Sequence, residues 1–477
     1  MSESSPNRRG LLAVLLAAPF MAQADATIAN VATPSIHSGL GASGAALELV
    51  IGGYLIAFAV LLITGARLGQ THGYRRVFVA GISGFGLASL ACGLAPDPGV
   101  LVAARVLQGA GAALMFPQAL TGIQLNFEGE ERVRAIGWYA LALSVGAVAG
   151  QILGGALVSA DLAGSGWRAI FLINVPIAAL TVPVALRLLP GDEPQRSRSI
   201  DAAGVAGLSL ATLLAVVPLV LGREEGWPAW SWLCLAASVP AFGLFFALER
   251  RVAAAGSATL VNVEVISRAA VAWALAALLI ATGTYYALLF TLAQYLQNGL
   301  GKSALVSGLT LVPWVAAFGV AGQLVRRLPE RRLRLAPAAG CLLLAAGYGA
   351  IGAVLFTGEH PESLLVFLLA AGGLGLGINF SAILAHLTST VPPRYAPDIS
   401  GVSSTTAALG GAIGVAAFGT LYLGLPHVGA TAATTAFATV AAVLAAAALL
   451  AAFAAWRATR PALVATVAAE AGLDATN

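Results

Sequence analysis

Two side chains stand apart by their chemistry. Asp25 lies in "FMAQADATIANVATPS" (20–35) and Arg105 in "AARVLQGAGAALMFPQ" (103–118), both otherwise small or apolar. Asp25 is about eight residues, roughly 12 Å of helix, from the outer end of its apolar run, and Arg105 about six residues, roughly 9 Å, from the outer end of its own. A carboxylate and a guanidinium in one layer can pair. Burial disfavours a carboxylate's charge and a nearby cation favours it, so an acid balanced between the two can take up a proton outside and release it inside. Protonation would then break the attraction, and a lipophilic cation could compete for the same carboxylate. Gln108 lies one turn from Arg105 on the same face. The bland alternatives are a fixed ion pair joining two helices, or an arginine snorkelling to the outer interface. Buried ion pairs stabilise poorly and intramembrane acids are usually functional, which favours the titrating reading. On that reading Asp25→Asn abolishes every proton-coupled step and leaves the protein folded.

The elements that must position the pair follow from composition. The 477 residues are 59% hydrophobic and only 10% charged, far below the charged share of soluble domains. Apolar runs recur at 11–33, 46–66, 77–95, 100–123, 134–159, 168–189, 203–222, 230–249, 271–295, 305–325, 333–356, 363–387, 400–424 and 432–456. Each is long enough to cross a bilayer as a helix, and backbone groups in lipid must be satisfied within the segment. The expectation is an all-α polytopic membrane protein with fourteen transmembrane helices, in which Asp25 is the only clearly intramembrane acid. The start, "MSESSPNRRGLLAVLLAAPF", has the basic and apolar parts of a signal peptide. No cleavage region closes it, so it reads as an uncleaved first helix.

The basic residues orient the spans. With the N-terminus in the cytoplasm, 21 of the 25 Lys and Arg fall in inside loops, Arg168, Arg223 and Lys302 fall outside, and Arg105 lies within a span. This inside excess places both termini in the cytoplasm and explains the net charge of +4 without a nucleic-acid partner. Cys92, Cys234 and Cys341 all fall in apolar segments, an odd set that suits neither a disulfide framework nor a metal site. No H-E-x-x-H, G-x-S-x-G or Walker loop occurs. The expectations are therefore no enzyme activity, no cofactor, no metal and no ATP.

Span starts near 11, 46 and 77 recur near 271, 305 and 333. The loop after the second span, "GARLGQTHGYRRV", has a weaker echo, "GQLVRRLPERRL", after the tenth. The reading is two six-helix halves, 1–190 and 268–460, a linker with two inserted helices at 191–267, and a cytoplasmic tail at 461–477. Paired halves around a midplane site are the plan of secondary transporters.

Four stretches together resemble the major facilitator superfamily, and within it the fourteen-helix drug/proton antiporters. "GARLGQTHGYRRV" is similar to the family's G-x-L-x-D-R-x-G-R-R at Gly65, Gly69, Gly73, Arg75 and Arg76, with Gln70 where the family has an acid. "AARVLQGAGAALMFPQ" resembles R-x-x-Q-G-x-G. "SVGAVAGQILGGAL" resembles the antiporter motif G-x-x-x-G-P-x-x-G-G at Gly146, Gly150 and Gly154, with Gln151 replacing proline, so the proline kink is lost. The opening stretch matches L-D-x-T-I-V-N-V-A-x-P-x-I at Asp25, Thr27, Ile28, Asn30, Val31, Ala32, Pro34 and Ile36. "WRAIFLINVPIA" (167–178) and "QYLQNGLG" (294–301) are further matches. The resemblance implies a cell-membrane protein, acting as a monomer, that exports hydrophobic or cationic small molecules such as drugs or antibiotics in exchange for protons. The runner-up is a proton symporter taking up a small metabolite. The E-x-x-E-R motif expected of peptide-uptake relatives is absent. Asp25 and Arg105 would couple protons. The glycines and paired arginines would serve gating, against a plainer role in close packing and anchoring. Gln108, Asn30, Tyr54, Tyr285, Gln294 and Asn379 are candidate substrate contacts, each equally a packing residue. With no second acid in the spans, recognition should be mainly apolar and aromatic.

Overall fold

The computed structural model describes residues 8–161, 164–191, 202–222, 226–255, 268–357, 362–390, 396–426 and 429–460. The expected tail at 461–477, most of the linker flanks, and Arg196, Arg198, Arg223 and Arg394 lie outside these residues, as does the Gln70 side chain.

Among the described residues the chain is a succession of helices: α1 (Arg8–Leu40), α2 (Gly44–His72), α3 (Tyr74–Gly93), α4 (Pro98–Asn126), α5 (Gly129–Ala160), α6 (Gly166–Leu188), α7 (Ala202–Leu221), α8 (Ala229–Ala254), α9 (Ala269–Gln294), α10 (Ala304–Arg326), α11 (Ala336–Phe356), α12 (Glu362–Thr390), α13 (Ala396–Gly414) and α14 (Ala430–Ala458). The helix α9 runs on through a π turn, Tyr295–Gly299, and α13 through another, Val415–Gly419. Thirteen of the fourteen are long and apolar enough to span a membrane. The segment expected at 203–222 is helical, but its qualifying apolar part, Ala203–Ala215, is shorter. Six spanning helices precede the α7–α8 pair and six follow it.

Local chemistry explains the starts and breaks. The Ser43 hydroxyl accepts from the Ala46 N–H at 3.2 Å at the head of α2. At the head of α4, Asp97 Oδ1 accepts from the Val100 N–H at 3.0 Å, with Pro98 in the first turn; each cap satisfies an orphan donor. Gly73, at φ +92, makes the turn between α2 and α3, a conformation that glycine adopts without strain.

The chain divides into two compact units, Met1–Val205 with Ser303–Gly308, and Ala206–Lys302 with Leu309–Asn477. In the first, α4 packs against both α2 and α3, and α1 packs along α5. Small residues permit this. A Cβ on Gly81 of α3 would fall 2.6 Å from the Met115 nitrogen, and one on Gly111 of α4 would fall 2.6 Å from the Phe85 nitrogen. With lipid outside, helices associate through such close backbone contact. In the second unit, α11 lies between α12 and α14, and α9 packs on α13 and α14. Leu233, Val239 and Leu244 of α8 are more than half exposed, as suits side chains that meet lipid.

Two expectations are corrected. "GARLGQTHGYRR" is not all loop, because Gly65 and Gly69 lie within α2 and only Gly73 turns the chain. Asp25 is not the only buried acid either. Glu48 on α2 is 2% exposed and Glu249 on α8 is 1% exposed. Both sit at the edge of an apolar run, where hydropathy implies contact with water; tertiary packing buries them instead.

Candidate functional site

Within the first unit α1, α3, α4 and α6 converge, and each contributes a polar side chain to one point. Arg105 and Asp25, both with fully buried side chains, form an ion pair through Arg105 Nη1 and Asp25 Oδ2. Arg105 Nη1 also donates to Gln108 Oε1 at 2.8 Å, and Arg105 Nε donates to the Val50 carbonyl at 2.8 Å. The guanidinium carbon lies 4.4 Å from the Tyr54 ring centroid and 5.5 Å from that of Phe171, within cation–π range. The Tyr54 hydroxyl donates to the Ala22 carbonyl at 3.0 Å, tying the ring to α1. Arg105 Nη2 has no hydrogen-bond partner.

The other carboxylate oxygen, Asp25 Oδ1, accepts from Gln108 Nε2 at 2.8 Å and from Asn174 Nδ2 at 3.0 Å. Both amides also donate to Ser89 Oγ, at 2.9 and 3.1 Å, and Ser89 passes its own proton to the Phe171 carbonyl at 2.9 Å. Cys92 Sγ approaches Gln108 Oε1 at 3.6 Å. The direction of every bond is settled by its ends. Arginine can only donate and a backbone carbonyl can only accept. Gln108 Oε1 must therefore face Arg105, its NH2 must face Asp25 and Ser89, and Ser89 must donate onward. Every group facing Asp25 is a donor, so its surroundings suit an ionised carboxylate beside a charged guanidinium, whose Nη2 is left unmet. Charge-assisted bonds of this kind are the strong ones.

The expected pairing of Asp25 with Arg105 is thus present, and Gln108 and Tyr54 are drawn into it rather than lining a separate surface. The site is closed: Asp25 is 1% exposed. Asn174 and Ser89 are the partners that sequence reasoning passed over. Asn174 lies in the "WRAIFLINVPIA" match, where a polar residue between apolar ones was the available signal, whereas Ser89 in "GFGLASLACG" offered none. Asn174→Leu removes one donor to Asp25 and one to Ser89. It should lower stability by about 1–3 kcal/mol, read as the thermal midpoint of the detergent-solubilised protein. Asn174→Asp, which sets a second carboxylate against Asp25, should cost more.

The remaining candidates are placed elsewhere. Asn30, fully buried in α1, donates to the Ala26 carbonyl at 3.0 Å while its Oδ1 has no partner. In the second unit, Gln294 Oε1 accepts from Asn298 Nδ2 at 2.7 Å, and Asn379 donates to the Pro337 carbonyl at 3.2 Å. Tyr285 is partly exposed and stacks on Trp314. Gly146, Gly150 and Gly154 form the seam of α5 against α1, facing Phe20, Ala24 and Ile28. Gly65 faces the backbone of Ala113 and Leu114 on α4, and Gly69 faces the Gln118 side chain, which donates to the Gly65 carbonyl at 2.7 Å. Arg75 donates to the Leu186 carbonyl, and both Arg75 and Arg76 line a cavity of about 490 Å³ with Val79, Ala80, Leu186 and Gly191.

Known proteins are similar to this chain along most of its length. A sequence profile of the Major Facilitator Superfamily matches residues 15–415. The chain is 38% identical over 433 residues to a probable actinorhodin transporter of Streptomyces coelicolor, covering 89% of this chain and 74% of the relative. It is 32% identical to the multidrug resistance protein Stp of Mycobacterium tuberculosis, covering 84% and 73%. It is 34% identical to the cephamycin export protein CmcT of Amycolatopsis lactamdurans, covering 85% and 83%. Among solved structures, a bacterial homologue of the human drug peptide transporters superposes with a TM-score of 0.69 at 15% identity, covering 97% of this chain and all of that one. The xylose transporter XylE from E. coli superposes at 0.62 and 12% identity, covering 91% and 94%. At these identities the structural likeness speaks for the fold.

Proposed function

Since the chain belongs to the major facilitator superfamily and is a multi-pass membrane protein, we propose that it exports hydrophobic or cationic small molecules, antibiotics among them, in exchange for protons. The observation that carries the reading is the buried Asp25–Arg105 pair with its all-donor surroundings. The names of the relatives, which speak of actinorhodin, multidrug resistance and cephamycin export, support the substrate class and the direction. Acting as a monomer in the cell membrane with both termini in the cytoplasm, the chain would draw on the proton gradient and need no ATP. The stretches 1–190 and 268–460 would be the moving halves.

In this mechanism Asp25 is the proton carrier. Protonation removes the charge that holds Arg105 Nη1. The guanidinium keeps Gln108 Oε1, the Val50 carbonyl and the Tyr54 ring, so it need not leave its place when the carboxylate neutralises. The contacts of Asp25 with α4 and α6 then weaken, and α1 is freed to shift. Because Asp25 is closed from solvent here, proton exchange belongs to a different state of the cycle. Direct competition between substrate and proton for the carboxylate has no support in this closed arrangement. Gln108 and Tyr54 serve coupling on this reading; of the expected substrate contacts, the partly exposed Tyr285 fits best. Gly65, Gly69, Gly73, Arg75 and Arg76 would act at the cytoplasmic end, and the seam at Gly146, Gly150 and Gly154 would guide α1 along α5.

The test is transport of a compound panel by the purified protein in proteoliposomes under an imposed pH gradient. Export reads as substrate moving against inward proton flow and stopping when a protonophore collapses the gradient. Substrate moving with the protons would mark a symporter, and indifference to the gradient would end the coupling proposal.

A further inference from the structure

We propose that Trp314 and Tyr285, in the second unit, form a subsite for a flat aromatic molecule that carries a hydrogen-bond-accepting oxygen, with Trp314 Nε1–H as the donor. This deepens the export reading and rests on it for the ligand's role as cargo.

Three rings from three helices stand in a ladder. Trp314 of α10 stacks on Tyr285 of α9, with centroids 6.1 Å apart and planes within 11°, and on Tyr348 of α11, at 5.6 Å and 24°. The ladder is held from outside. The Tyr348 hydroxyl donates to Thr284 Oγ1 at 3.2 Å, and Thr284 donates to the Ala281 carbonyl at 2.7 Å. On α12, glycines admit the indole: a Cβ on Gly372 would fall 2.9 Å from Trp314 Cη2, and one on Gly373 would fall 2.8 Å from Trp314 Cα. No side chain larger than hydrogen fits there.

Trp314 is fully buried, and its Nε1 has no hydrogen-bond partner. Buried tryptophans usually place that N–H on an acceptor, and leaving it unmet is costly. Ring packing alone would be served better by phenylalanine. The ladder ends on Tyr285, the one partly exposed ring of the three, with Tyr286 edge-on to it at 5.0 Å and 61°. A platform and an unmet donor thus lie on adjacent stacked rings. Phe318, one turn along α10, meets Phe380 of α12 at 5.8 Å and extends the aromatic lining. A flat arene satisfies the rings, and one that also carries an accepting oxygen, such as a ketone's, satisfies the donor as well.

Matched probes separate the two terms. 9-Fluorenone and fluorene have the same tricyclic frame and differ in one carbonyl. In equilibrium dialysis against detergent-solubilised protein, the wild type should bind fluorenone roughly three- to tenfold more tightly than fluorene, the range of one neutral hydrogen bond. Trp314→Phe keeps the ring and should bring the ratio to about one. Tyr285→Leu should weaken both probes alike. An equal ratio in wild type and Trp314→Phe, or no binding of either probe, overturns the subsite. Should Trp314→Phe misfold, the wild-type ratio still decides. Proteoliposome transport of fluorenone keeps the two proposals apart. Binding preference with no gradient-driven transport of fluorenone or of any compound in the panel overturns export and leaves the subsite; transport without preference does the reverse.

Discussion

Asp25→Asn should stop proton-driven export and also lower the stability of the protein. Arg105 is buried with Asp25 as its ion-pair partner. In the variant an amide replaces the carboxylate. Its oxygen can keep the two amide donors at Oδ1, but its NH2 then meets Arg105 Nη1, donor against donor. Removing one member of a buried pair leaves an uncompensated charge, at a cost of about 3–5 kcal/mol. The sequence-level expectation that this variant stays folded is therefore too generous. Asp25→Asn with Arg105→Gln removes both charges and should restore much of the thermal midpoint, without restoring export. That double variant separates the two readings of the pair. A merely structural pair would recover stability and export together, whereas a proton carrier recovers stability alone. Wild-type rates of gradient-driven export by Asp25→Asn would end the coupling proposal.

Gly150→Leu should also have a large effect on folding. Gly150 lies on the seam between α5 and α1, where a Cβ would run into Thr27 Oγ1 and the Ala24 carbonyl oxygen and lie 3.0 Å from the Ala24 carbonyl carbon. Part of the obstacle, the Ala24 carbonyl, is backbone, which cannot rotate aside. The Thr27 hydroxyl also reaches the Ala147 carbonyl at 3.2 Å across the same seam, so forcing the helices apart loses a hydrogen bond as well. Overpacking costs about 1–3 kcal/mol where neighbours can adjust, and the cost here should lie at or above the top of that range. Since α1 carries Asp25, the displacement also pulls the carboxylate from α4 and α6. Gly84→Ala on α3 is the control. Nothing lies within 4 Å of its Cβ, and alanine is the better helix former by about 0.5–1 kcal/mol. The measurements are the yield of monodisperse protein and its thermal midpoint. Equal midpoints for Gly150→Leu and wild type would show that the seam is looser than its geometry.

The amino-acid sequence by itself determined the class of molecule: runs of apolar residues long enough to span, separated by loops whose cations alternate. It also picked out Asp25 and Arg105, because a charge inside an apolar run is visible without knowing which way any helix faces. It could not find Ser89, Asn174 or Trp314 as members of sites, nor foresee that Glu48 and Glu249 are buried. The physical reason is the solvent. In water, a helix betrays its inner face by keeping polar residues on the other. In lipid both faces are apolar, so helix rotation leaves little periodic trace and is decided by backbone approach at residues such as Gly81, Gly111 and Gly150. Only that packing turned Asn174 and Ser89 toward Asp25, and only it seated an indole between two tyrosines with its N–H unmet.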